Sequence, residues 1–104
     1  MCDPMMDIEQ MQANAGEATE LLKILANPSR LMVLCALVTR EHTAGELEEL
    51  VGLSQSAVSQ HLAKLRLHNI VATRRDGQKI YYAITDGKAR TLLETLHDTY
   101  CGDL

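Results

Sequence analysis

The chain has 104 residues, 46% of them hydrophobic and 3% aromatic, with a formal net charge of −4. That length fits one domain, 1–104, and that apolar content excludes a disordered chain. No apolar run approaches the roughly 20 residues needed to span a bilayer, and Met1 to Gln12 lacks the basic and apolar segments of a secretory signal, so the expected compartment is the cytoplasm, with no membrane partner.

Residues 1–6 are expected to form a flexible tail. Residues 7–26 place Ile8, Met11, Ala15, Ala18, Leu22 and Leu25 at helical spacing. Asn27-Pro28 interrupts that pattern and suits the start of a second helix, with Asn as N-cap and Pro in the first turn. The second helix runs through Arg30 to Val38 and is apolar nearly all round, as in a buried central helix. Thr43-Ala44-Gly45-Glu46 has the form of a capping box and opens a short third helix that Gly52 ends. Ser54 caps a fourth helix over 55–68, with Val58, Leu62 and Leu65 facing inward. His61 is expected to support this helix, and His42 and His68 to be exposed helix-end residues.

Residues 70–75 and 79–84 are β-prone runs, with the hairpin signal Asp76-Gly77 between them. A last helix over 87–100 carries Leu92, Leu93, Leu96 and Tyr100 on its apolar side. The predicted order is α-α-α-α-β-β-α: a mainly α fold with a β-hairpin wing, that is, a winged helix-turn-helix.

The charge distribution reverses the impression left by the net charge. Residues 54–90 carry seven bases (Lys64, Arg66, Arg74, Arg75, Lys79, Lys88, Arg90) against Asp76 and Asp86, whereas residues 1–53 hold three bases against nine acids. A basic block in an acidic chain is a local footprint for a polyanion; the alternative is an ordinary solvated face. In a helix-turn-helix the second helix enters the major groove and its first residues meet base edges. Here Ser54, Gln55, Ser56, Ser59, Gln60 and His61 occupy that segment. Gln pairs in bidentate fashion with adenine, and Ser donates to or accepts from bases and phosphates. The wing adds Arg74, Arg75, Gln78 and Lys79 for phosphate or minor-groove contacts. The apolar stripes of the first and last helices either pack on their own core or form a two-fold dimer interface. Such a dimer would read pseudo-palindromic double-stranded DNA, with half-sites about 34–36 Å apart. No Cys-x-x-Cys, nucleophile–base motif or glycine-rich phosphate loop supports an enzyme. A protein-interaction module with a degenerate wing is a further alternative.

Asn27-Pro28-Ser29-Arg30-Leu31, the run Leu53 to Leu62 with Ser59-Gln60-His61-Leu62, and Asp76-Gly77-Gln78-Lys79-Ile80-Tyr81-Tyr82 together resemble the ArsR/SmtB family of bacterial repressors over roughly residues 15–101. The resemblance implies a homodimer that binds operator DNA at rest and releases it when an inducer binds. Two metal-sensing patterns of the family are missing. Residues 43–53 hold no Cys pair, and Asp86 is followed by Lys88, Thr99 and Gly102 where a second pattern places His, His and Glu.

What remains is Cys35 in the second helix and Cys101 after the last, a pair similar to the persulfide- and polysulfide-responsive branch of the family. A free Cys in an apolar helix is usually a small hydrophobe, and a reducing cytosol disfavours a standing disulfide. The resemblance makes the pair sensor thiols, with a small reactive sulfur species as inducer and no cofactor. A metal site built from Cys35, His97 and Cys101 is the competing expectation. Cys2 has no counterpart in the branch and is expected to be a bystander.

Overall fold

The computed structural model describes residues 4–101, with side chains from Asp7 onward. Cys2 and the first part of the expected tail lie outside the described residues. From Pro4 on, the backbone is helical.

Helix α1 spans Pro4–Leu25 and α2 spans Pro28–Thr39, and the two meet at 97°. The break is chemical. Pro28 lacks an N–H, and Asn27 accepts the Arg30 N–H at 2.9 Å, so a new helix starts instead of the old one continuing. Helix α3 spans Ala44–Val51 and α4 spans Gln55–Leu67. The predicted capping box is present: Thr43 Oγ1 accepts the Glu46 N–H at 3.1 Å, and Glu46 Oε1 accepts the Thr43 N–H at 2.9 Å. Gly52, at φ 73°, adopts the left-handed conformation that closes α3 and makes the tight turn into α4.

Strands β2 (Val71–Asp76) and β3 (Lys79–Ile84) form the wing, and α5 spans Gly87–Tyr100 behind an Asp86 N-cap. Asp76 is the last paired residue of β2, opposite Lys79, so the two-residue loop is Gly77-Gln78. The hairpin signal therefore located the turn, and the ladder shifted it by one residue. Gly77, at φ 64°, occupies the first loop position, as a type II′ turn requires.

A short strand absent from the predicted order precedes α3. Strand β1 (His42–Thr43) pairs antiparallel with Tyr82 and Tyr81 of β3, giving a three-stranded sheet in the order β1-β3-β2. Two residues carry no readable alternation, so only the neighbouring strand reveals them. This overturns the expectation for His42. It is 3% exposed, because it lies in the sheet rather than at a free helix end. His68 is exposed and caps α4, as expected.

One core holds the helices and the sheet together. Leu34 and Leu37 of α2, Leu47 of α3, Val58, Leu62 and Leu65 of α4, Ile70, and Leu93 of α5 are each at most 2% exposed. Burying such a side chain stabilises the fold by about 1.5–3 kcal/mol. Arg30 is also buried, and its Nε donates to the Ile24 carbonyl at 2.6 Å across the α1–α2 break. Among the described residues, no single helix is long and apolar enough to cross a membrane.

Candidate nucleic-acid interface and thiol pair

The sequence of α4 divides it into two faces. Val58, Leu62 and Leu65 are buried, which turns Gln55, Ser56, Ser59 and Gln60 outward, and all four are exposed. Ser54 is tied to the helix start, where its Oγ accepts the Ala57 N–H at 3.2 Å and lies 3.3 Å from Ser56 Oγ. His61 is half-buried at the edge of the polar face. Burial pushes its pKa below the ordinary imidazole value, and the Arg30 charge pushes it further the same way. The ring is therefore neutral at pH 7.

The wing side chains differ from one another. Gln78 and Lys79 are exposed at the tip, and Arg75 Nε donates to the Gly77 carbonyl at 3.2 Å. Arg74 is engaged elsewhere. Its guanidinium carbon sits 4.5 Å from the centre of the Tyr81 ring, and its Nε lies 3.0 and 2.9 Å from the two carboxylate oxygens of Glu41. That pairing holds the Glu41 carboxyl below the usual carboxylate range.

The basic block is thus smaller than the count suggests. Lys88 also has a partner, Glu17 of α1, at 2.6 Å. Lys64, Arg66, Arg75 and Lys79 have no carboxylate partner among the described residues. Sequence reasoning missed Glu41, whose contact spans 33 residues and depends on the unforeseen strand β1.

Cys35 and Cys101 are both free thiols, the first half-buried on α2 and the second exposed at the end of α5. Burial pushes the Cys35 thiol above its ordinary pKa, and the charge of a Cys101 thiolate raises it further. The metal alternative finds no support. Among the described residues, no three His, Cys, Asp or Glu side chains are grouped to hold a metal ion. The His97 Nδ1 lies 3.9 Å from Oδ1 of its neighbour Asp98.

The apolar faces of α1 and α5 are not covered. Met11 and Leu22 of α1 are 61% and 55% exposed, and Leu92 and Tyr100 of α5 also stand in solvent. Between the two helices runs an apolar groove of about 1170 Å³, lined by Met11, Ala18, Leu21, Leu22, Thr91 and Leu92 among others.

Comparison with known proteins agrees with this architecture. Residues 27–73, from the α2 cap into β2, match the family described as "Bacterial regulatory protein, arsR family". The transcriptional activator HlyU of Vibrio cholerae is 42% identical over 96 residues, covering 92% of this chain and 89% of that protein. The regulator YgaV of Escherichia coli is 42% identical over 98 residues, covering 93% and 99%. The crystal structure of the repressor BigR from Xylella fastidiosa superposes with a TM-score of 0.83 at 42% identity, covering 91% of this chain and 97% of that one. With its capped helix-turn-helix, its wing and relatives of this closeness, the chain belongs to the ArsR family of bacterial transcriptional regulators.

Proposed function

We propose that the chain is a homodimeric, cytoplasmic repressor that binds pseudo-palindromic operator DNA and releases it when Cys35 and Cys101 react with persulfides or polysulfides. The observation that carries the DNA reading is the exposed row Gln55, Ser56, Ser59 and Gln60 on a helix whose other face is fixed in the core. Such a row meets base edges in the major groove, while Arg75, Gln78, Lys79 and the α4 start reach the backbone. The uncovered apolar faces of α1 and α5 supply the dimer contact. One relative supports repression by name, the "Biofilm growth-associated repressor" of Xylella fastidiosa, whose structure, that of BigR, is also similar to this chain.

The switch follows from the thiols. Cys101 is exposed and meets the sulfur donor first. Its thiolate attacks the outer sulfur of a persulfide RSSH, forming Cys101–SSH and expelling RS⁻. Cys35, as thiolate, then attacks the Cys101-bound sulfur and expels HS⁻. The net change is RSSH plus two thiols to RSH, H₂S and one disulfide. If both thiols first become persulfides, their condensation releases H₂S and leaves a trisulfide. Either bridge joins α2 to the end of α5, beside the proposed dimer face. A small change in subunit angle there misplaces both recognition helices.

The test selects a binding duplex from a random double-stranded pool and measures affinity against salt, with and without glutathione persulfide. The wild type is expected to bind with log K falling linearly in log[salt], and to lose affinity on persulfide treatment. The Cys35→Ser variant is expected to bind and to ignore the donor. Salt-independent or absent duplex binding removes the DNA reading. An unchanged response in Cys35→Ser removes the sensor reading alone.

A further inference from the structure

Arg74 lies in β2 directly opposite Tyr81 of β3, and the ring forms a floor under its guanidinium. Glu41 closes on the guanidinium edge. Both of its carboxylate oxygens accept from Nε, and Oε1 also accepts from Nη2. The clasp exists because β1 pairs with β3, which sets Glu41, the residue just before β1, beside a side chain from the far strand. A carboxylate presents to this fork the same pair of anionic oxygens that a DNA phosphate presents. Both side chains remain accessible, 52% exposed for Arg74 and 33% for Glu41, so an incoming phosphate can exchange with the carboxylate.

We propose that Glu41 is a built-in competitor for Arg74, occupying the guanidinium edge that a DNA phosphate would take and so holding down the wing's contribution to DNA affinity. This rests on the DNA-binding reading above. The wing of the resting protein then offers Arg75 and Lys79 to the duplex, while the Arg74–Glu41 pair is nearly neutral as a unit. Replacing Glu41 by an uncharged isostere leaves Arg74 on its Tyr81 floor with its fork open.

The experiment compares wild type, Glu41→Gln, Arg74→Ala and the double variant on the duplex selected above, with affinity measured across a salt series. Glu41→Gln is expected to tighten binding by about two- to five-fold per wing, the range of one exchanged surface ion pair. It is also expected to steepen the salt slope by about 0.9 per wing, as one more phosphate is neutralised. Arg74→Ala is expected to cost less affinity in the wild type than in the Glu41→Gln background. The opposite coupling, with Arg74→Ala costing more while Glu41 is present, overturns the proposal, because Glu41 then aims Arg74 at the duplex. An unchanged slope in Glu41→Gln together with a lowered Tm overturns it too, reducing the clasp to a tie within the sheet. If those results come with wild-type binding that Lys79→Ala weakens, the DNA reading stands and only the competitor falls. If none of the four proteins binds duplex, both fall.

Discussion

In the reading head, built from α2, α3, α4 and the sheet, Leu34, Leu37, Leu47, Val58 and Leu65 are sealed in one core within a single chain. In the outer pair, α1 and α5, residues of the same type stand in solvent: Ile8, Met11 and Leu22 on one helix, Leu92 and Tyr100 on the other. Among the described residues, Ile24 and Leu25 in the last turn of α1 and Ala89 and Leu93 on one side of α5 join the core, with Leu21 packed against it. Both regions carry an apolar stripe at helical spacing, so the stripe alone does not tell a core face from a face waiting for a partner. The difference lies in the connections. The head is crossed by short turns and a strand ladder that force its faces together. Helix α1 leaves the core at 97° to α2 and, among the described residues, meets α5 through Lys88–Glu17 and the groove.

The largest effect that can break this contrast is Leu22→Glu. Each copy would bury a charge in place of a leucine worth about 1.5–3 kcal/mol, and a two-fold interface counts that twice. Dimer dissociation should strengthen roughly a hundredfold or more, read as a halved particle mass in sedimentation. An unchanged mass would place the partner face elsewhere. Leu34→Ala acts on the other region. Leu34 is fully buried, so about 2–5 kcal/mol of unfolding stability should be lost in urea denaturation. A loss under 1 kcal/mol would mean that the head is not the rigid part.

Thr43→Ala removes half of the capping box and should cost about 1 kcal/mol, with loosening concentrated in α3 and β1. Amide exchange that speeds uniformly over the chain would contradict that localisation. The smallest effect sharpens the account of α4. The lowered pKa of His61 means that the unfolded chain takes up a proton near pH 6.5 while the folded chain resists it. Stability should therefore fall as pH drops below about 6.5, and His61→Gln should flatten that fall between pH 7 and 5. A slope unaltered by the substitution would assign the pH dependence to other groups.

The head was legible because its signals are local. Asn27-Pro28, the Thr43–Glu46 box, Gly52 and Ser54 each fix a backbone event within three or four residues, and each appears in the structure. The same holds for the polar face of α4, where three inward apolar residues settle which way the glutamines and serines point. What was not legible depends on partners distant in the chain. A two-residue strand has no period, so β1 and the burial of His42 were missed. Glu41 pairs with Arg74 across 33 residues, and Lys88 with Glu17 across 71, so a count of bases overstated the free positive charge. The one-residue shift of the hairpin loop has the same origin, since the register is set by Val71↔Ile84 through Asp76↔Lys79 and not by the turn residues alone.

Operator recognition as proposed requires two copies of α4 to face one duplex. Hydroxyl-radical footprinting of the selected duplex tests that directly. Two protected backbone segments are expected, flanking major grooves centred about 10 base pairs, or a small multiple of that, apart, each reduced in parallel by Gln55→Ala. A single protected segment, or protection that Gln55→Ala and Ser59→Ala leave intact, would contradict it.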